Sequence, residues 1–383
     1  MKALFYSIGR TFLDRCRPSC FLFLFFALVS CPLMGQGLQK KAVTREDYPL
    51  WHYMDAEAIS DDGNWISYRN YYDATDSLFV KHRKSAKLYS FAKGKDMAFI
   101  ANHFVCQTPD SIVHIVSLKN EVERKLRNVK AFTVFKTFIV ASEYSKIGNL
   151  LSVYTLDGVL LRTDTDVESF SVSPDTKFIA VAVKRENTYQ ELLVNMEDIK
   201  KQKIIAESEK RGPFLNPSWS EDSKAIAVMN YNEKESNLFY YNLAEKRLVT
   251  YSTNAIDFPK TMNLIPSRKL TISKNNKRVF FKIKQRKELD IVRKENDVQV
   301  WNAADKHIYP NHILTEGYSK NPKQAMWEPD TGRFLQITDS IQPYGDFPDN
   351  ESFALTFNAK DYEPQSKSVP DKDIYIKNLD TGD

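Results

Sequence analysis

The chain has 383 residues, with 54 Lys and Arg against 49 Asp and Glu and a formal net charge of +5. The first 37 residues carry four of the basic and one of the acidic side chains, so the remainder is close to balanced at +2. That excludes the concentrated positive surface a nucleic-acid binder needs. Three of the four cysteines, Cys16, Cys20 and Cys31, also fall in this opening stretch. Cys106 is left alone, no internal disulfide can form, and residues 38–383 must be held by their own core.

In chain order, Arg10, Arg15 and Arg17 precede the apolar run FLFLFFALV at 21–29, followed by small and turn-forming residues through Gly37. This is the layout of a secretory signal peptide over 1–37. The apolar stretch Phe21 to Met34 is 14 residues, short of the roughly 18 needed to span a bilayer. Leu28-Val29-Ser30-Cys31 resembles a bacterial lipobox, which implies a lipid anchor at Cys31. The alternative is a leader discarded after Gln36 or Gly37. Either way the chain is expected to be exported, to the periplasm or the cell exterior, with membrane contact only through Cys31.

From residue 60 onward one pattern recurs: SDDGNWISYRNYY at 60–72, SPDTKFIAVAV at 173–183, SEDSKAIAVMNY at 220–231, SKNNKRVFFKI at 273–283 and PDTGRFLQIT at 329–338. Asp and Asn bond their own backbone or tolerate positive φ, and each turn opens a β-rich run without helical period. The anchors Asp175, Asp222, Asn275 and Asp330 are 47, 53 and 55 residues apart, about the length of one four-stranded propeller blade. Between Asp62 and Asp175 there is room for two or three further units, and 98–107 and 131–144 fit as degenerate copies. LLSVYTLDGVLLR at 150–162 and NLFYYNLAEKRLVTY at 237–251 read as hairpins around polar turns. VQVWNAADKHI at 298–308 and DIYIKNLDTGD at 373–383 look like further copies. The expectation is an all-β propeller of about 7–8 four-stranded blades over 38–383; a β-sandwich needs no such repeat.

The final turn, Leu379 to Asp383, lacks the return strand that follows the internal hairpins. The unit containing PDNESFALTF at 348–357 is also irregular. Two expectations follow: a chain that stops inside its last blade, or a ring closed by an N-terminal strand.

Chemistry is sparse. There is no G-x-S-x-G nucleophile elbow, no H-E-x-x-H, no Cys/His ligand spacing and no glycine-rich phosphate loop. His52, His82, His103, His114, His307 and His312 show no metal pattern. Asp61-Asp62-Gly63 reads as turn capping and not as a calcium loop. KKQK at 200–203 and KNNKR at 274–278 read as solvated turns. Tyr71-Tyr72 and Tyr240-Tyr241 are expected to project from opposite strand faces, and Cys106 to be a buried, inert thiol. No catalytic, cofactor-binding or metal-binding residue is assigned, and no cofactor is expected.

REDYPLWHYMDAEAISDDGNWISY at 45–68, the Asp-turn strands, DVQVWN at 297–302, MWEPDTGRFLQITD at 326–339 and the closing DIYIKNLDTG together resemble the N-terminal β-propeller of secreted bacterial serine peptidases of the prolyl oligopeptidase type, those of the Bacteroides group above all. The resemblance covers about residues 40–383. It implies a propeller that admits peptides to a C-terminal α/β-hydrolase domain carrying Ser, Asp and His. None of those catalytic positions has a counterpart here, and the Glu-Glu pair that holds a substrate amine in the dipeptidyl-peptidase branch is missing. The expected role is therefore a propeller, inactive alone, that gates or orients peptide substrates for such a hydrolase domain. The alternative is a stand-alone exported propeller that binds or scaffolds.

Overall fold

The computed structural model describes residues 42–72, 76–146, 148–209, 212–286, 321–347, 351–359, 362 and 367–383. The leader with Cys31, the 298–308 stretch, His307 and His312 lie outside them. The chain divides into a small unit, Met1–Asp55 with Arg69–Asp76, and a large one, Ala56–Tyr68 with Ser77–Asp383. In the small unit Thr44 caps a 3-10 turn over Arg45–Leu50 through Asp47. There Tyr53 stacks on Tyr71 at 4.5 Å, and Arg69 pairs with Asp76 at 3.0 Å.

Local chemistry first builds the repeated turn. In four copies a Ser hydroxyl donates to the Asp or Asn two residues on: Ser60 to Asp62, Ser173 to Asp175, Ser220 to Asp222 and Ser273 to Asn275, at 2.6–2.8 Å. The same hydroxyl accepts the N–H five residues on, from Trp65, Phe178, Ala225 and Arg278. The Asp or Asn oxygen accepts the N–H two residues beyond itself. Every turn needs one residue at positive φ: Gly63, Thr176, Ser223 or Asn276, at 60–67°. Each turn therefore satisfies its own buried donors before any long-range contact forms.

These turns lead into the second strand of the first, fourth, fifth and sixth sheets. The first sheet is β1 (His52–Ile59), β2 (Trp65–Tyr72), β3 (Asp76–His82) and β4 (Leu88–Ala92). The second is β5 (Lys95–Ile100), β6 (His103–Thr108), β7 (Ile112–Ser117) and β8 (Val122–Leu126). The third is β9 (Val129–Val134), β10 (Phe138–Glu143), β11 (Leu150–Thr155) and β12 (Leu160–Thr165). Then come β13 (Val167–Val172), β14 (Phe178–Arg185), β15 (Thr188–Asn195) and β16 (Gln202–Glu209). The fifth holds β17 (Phe214–Trp219), β18 (Ala225–Asn230), β19 (Asn237–Asn242) and β20 (Arg247–Ser252). In the sixth, β21 (Met262–Leu264) and β22 (Thr271–Ile272) share one flank of β23 (Val279–Gln285), followed by β24 (Lys323–Trp327) and β25 (Phe334–Gln336). The seventh has three described strands, β26 (Tyr344–Asp346), β27 (Phe353–Asn358) and β28 (Asp373–Asn378). Apart from the shared flank of the sixth sheet, neighbours in each sheet are consecutive in sequence, and every register from the second sheet onward is antiparallel, with pairs such as Ile226↔Tyr241 and Leu355↔Ile376.

The continuous apolar runs are explained by burial on both faces. On β18, Ile226 and Val228 pack with Ala180, Ala182 and Leu193 of the fourth sheet, while Ala225, Ala227 and Met229 pack with Phe281, Ile283 and Trp327 of the sixth. Six such cores join consecutive sheets, from Leu78 with Phe104 and Cys106 at the start to Met326 with Ala354 and Leu379 at the end. Among the described residues, no buried cluster joins the seventh sheet to the first. Sheets of this order, each packed face to face on the next, make a seven-bladed β-propeller.

Turn-to-turn contacts reinforce the stack. Ser223 Oγ accepts the Asp175 N–H at 3.0 Å, Asn276 donates to Asp222 at 2.9 Å, and the Lys274 N–H donates to Glu351 at 2.7 Å. Two expectations need correction. The PDTGR turn joins β24 to β25, third strand to fourth, so its spacing from Asn275 is internal to one sheet and not a blade repeat. KNNKR is not simply solvated either, because Arg278 is buried. Its guanidinium donates to Glu328 at 3.1 Å, to the Glu351 carbonyl at 2.6 Å and to Asp380. Tyr240 and Tyr241 do point to opposite faces, and both are buried, one in each neighbouring interface.

Candidate binding site

Pro266 sets the geometry of a cavity on the fifth and sixth sheets. Proline has no N–H for a ladder, and in MNLIPSRKLTI the inner strand of the sixth sheet breaks between β21 and β22. The break leaves a cavity of about 480 Å³ lined by Tyr231, Glu233 and Lys234 after β18, Asn263 and Pro266 at the interrupted strand, and Lys284 and Arg286 at the end of β23.

Each wall is tied down by short polar contacts. Asn263 is buried; its amide donates to the Asn232 and Glu233 carbonyls at 3.0 and 3.2 Å, and its oxygen accepts the Leu264 N–H. Ser236 closes the same loop, donating to the Asn232 carbonyl at 2.7 Å and accepting the Asn232 N–H at 3.0 Å. From the fifth sheet, Asn216, at φ 54°, donates to the carbonyls of Pro266 and Arg268. Arg286 donates Nε to the Met262 carbonyl at 3.0 Å, which fixes the guanidinium while its two terminal nitrogens make no hydrogen bond to any described residue.

Electrostatics follow from the inventory. Lys234, Lys284 and Arg286 face one carboxylate, Glu233, and neither lysine pairs with a carboxylate among the described residues. A pocket with an aromatic wall, a proline ridge and an excess of cations suits an anionic group on a partly apolar ligand. Two smaller cavities lie elsewhere. One, of about 270 Å³, contains His103 and Arg124, with His103 Nε2 3.2 Å from Asp157. The other, of about 320 Å³, lies beside Lys130 and Glu168. Among the described residues no group of three or more His, Cys, Asp or Glu could hold a metal ion, and no helix is long and apolar enough to cross a membrane.

Sequence reading assigned none of these residues. They come from three loops of two adjacent sheets and form no motif; Pro266 inside an apolar strand pattern was the available signal.

No protein-family model matches the chain, and no curated protein matches it. Among solved structures it is similar to tricorn protease, at 10% identity and a TM-score of 0.32, over 84% of this chain and 38% of that one. It is similar to the β-propeller domain of the Trilobed protease from Pyrococcus furiosus, at 9% identity and TM-score 0.32, over 85% and 95% of the two chains. It is also similar to oligogalacturonate lyase from Vibrio parahaemolyticus, at 13% identity and TM-score 0.37, over 84% and 88%. The chain thus spans well under half of the tricorn protease chain. The class of protein defined by its own sheet order and interlocked cores is a β-propeller.

Proposed function

We propose that this chain is the propeller portion of an exported peptidase of the prolyl oligopeptidase type, orienting peptide substrates for an α/β-hydrolase domain. In this reading the cavity at the broken strand holds the carboxylate of a short peptide between Lys234, Lys284 and Arg286, with Tyr231 and Pro266 against its apolar part. The observation that carries it is the cationic excess on a pre-tied cavity, which favours a charged end over a neutral one. In this reading the 1–37 leader directs export, with Cys31 either lipid-bearing or lost with a leader discarded after Gln36 or Gly37.

Calorimetric titration with a hydrophobic tripeptide and its C-terminal amide tests the reading. The free acid is expected to bind at least tenfold tighter, and Lys284→Glu to remove the difference. Equal affinity for acid and amide refutes it. A second reading, a stand-alone binding or scaffold propeller, is favoured by the six cores that the chain's own residues complete. It predicts the same peptide affinity with and without a hydrolase domain, whereas the first predicts that the two together cleave the bound peptide.

A further inference from the structure

Glu191 on β15 is fully buried, and neither carboxyl oxygen has a hydrogen-bond partner. Tyr189 and Leu193, two residues to either side, pack in the core shared by the fourth and fifth sheets, so strand alternation turns Glu191 into that same interface. Its cross-strand neighbours are two methyl groups, Ala182 on β14 and Ala206 on β16. The fifth sheet fills the same core with Phe214, Ile226, Val228 and Phe239. An ionised carboxylate is costly in such surroundings, and burial alone raises this one well above its usual range.

The other titratable groups of these strands are engaged elsewhere or turned away. Lys184 on β14, opposite Tyr189, is exposed. On β16 the Lys203 ammonium donates to the Tyr241 hydroxyl of β19 at 2.7 Å. Glu207 accepts from Gln190 at 2.8 Å, both of them exposed on the opposite face. Glu168 of β13 lines the cavity beside Lys130, on the third-sheet side. The other polar groups here are neutral: Ser169 of β13 donates to the Phe214 carbonyl, and Ser208 of β16 to Asn230 of β18. β17 brings Phe214 and Trp219 and no titratable side chain.

Cover over Glu191 is weakest on the β16 side. The β15–β16 register shifts between Glu191 and Leu192, which match Ala206 and Ile204 and pass over Ile205. Such a bulge interrupts the ladder beside the carboxyl. Of the β16 side chains only Ile205 and Ala206 join this core, and Ile204 is 47% exposed. β14, by contrast, runs inside the sheet, paired with β13 and β15.

We infer that Glu191 makes β16 a pH-sensitive flap: the side chain ionises only when residues 202–208 lift from β15 and admit water, so rising pH favours the released strand. In the closed state the carboxyl keeps its proton; released into water, it ionises above about pH 4.3. The released population therefore grows about tenfold per pH unit above that value, until the buried carboxyl itself titrates. This goes beyond the peptide reading and does not depend on the cavity of the fifth and sixth sheets.

Amide hydrogen exchange of the full chain, read by mass spectrometry at pH 5 and pH 7 with labelling times scaled to the intrinsic rate, tests the inference. Protection at 202–208 is expected to fall at least tenfold from pH 5 to pH 7. Dilute urea should leave that exchange unchanged while it speeds exchange of the third-sheet strand 138–143, because lifting one strand exposes little surface and global unfolding exposes much. Glu191→Gln cannot ionise, and its 202–208 segment should be equally protected at both pH values. The urea comparison is read on the unaltered chain and so does not depend on the variant folding. Protection at 202–208 that is indifferent to pH, that falls equally in Glu191→Gln, or that shares the urea dependence of 138–143 overturns the proposal.

Discussion

Arg278 ties the sixth sheet to the seventh, and its loss has a calculable effect. Arg278→Met retains the apolar stem and deletes three charge-assisted contacts, to Glu328, to the Glu351 carbonyl and to Asp380. Asp380 is more than half exposed, so its share is small. Glu328 is mostly buried and would keep the Thr331 hydroxyl at 2.9 Å and, as its only cation among the described residues, Arg333 at 3.5 Å. Hydrogen bonds to charged groups contribute about 1.5–3 kcal/mol each, and removing one member of a buried pair costs about 3–5 kcal/mol. With partial compensation by Arg333, the expected loss is about 3 kcal/mol. At about 2.1 cal/mol/K of unfolding entropy per residue this lowers Tm by about 4 °C for residues 38–383 melting together. Urea unfolding followed by tryptophan fluorescence reads it directly, and a double-mutant cycle with Glu328→Gln should show coupling above about 1 kcal/mol. A loss under about 0.5 kcal/mol, or additive single variants, would refute the claim that this guanidinium holds the two sheets together.

Two carboxyls give opposite pH dependence. Against desolvation, which raises it, the Ser220 hydroxyl and the Lys224 N–H and ammonium, with the Asn276 amide, bring the Asp222 carboxyl down to about 2. A depressed acid stabilises above its unfolded value of about 3.9, and that contribution is lost as pH falls toward 2. Asp222→Asn, which copies the natural Asn275 turn, should therefore be less stable than the parent at pH 7, with the gap closing between pH 4 and 2 in acid-unfolding curves. Glu191 on β15 behaves in the other direction. It is fully buried among apolar neighbours, neither of its oxygens has a hydrogen-bond partner, and burial pushes its carboxyl well above the usual range. Its stabilising contribution is complete below about pH 4.3 and is lost as pH rises. Glu191→Gln should match the parent near pH 4 and exceed it in thermal melts at pH 8; no gain at pH 8 would contradict the burial argument.

The turn chemistry was legible because it is local. Ser60, Ser173, Ser220 and Ser273 each bond within five residues, so four of the blades announce themselves in sequence. The second and third sheets are fainter, since their first hairpins turn through Ala101-Asn102, with Ala101 at φ 49°, and through Lys136-Thr137, without the Ser-x-Asp pair. Arg278 was misread because its partners Glu328, Glu351 and Asp380 lie 50, 73 and 102 residues away. The cavity was missed for the same reason: Tyr231, Asn263 and Arg286 meet only once two sheets are packed. The PDTGR turn shows the converse hazard, a local signal reused at a different place in the blade.

Stacked sheets that touch only their neighbours derive stability from nearest-neighbour interfaces. The fifth sheet shares Ile226, Val228, Phe239 and Tyr241 with one neighbour and Ala225, Met229, Leu238 and Tyr240 with the other. The seventh contributes only Ala354 and Leu379 to the described core it shares with the sixth. At about 1.5–3 kcal/mol for a large buried aliphatic side chain and less for alanine, that apolar contribution is small. Polar contacts fill the deficit at the same interface: Arg278 to Glu351 and Asp380, Arg333 to the Leu379 carbonyl at 2.9 Å, the Lys274 N–H to Glu351, and Lys377 to the carbonyls of Gln336 and Ile337. Directional bonds fix the sheet's orientation with little apolar area.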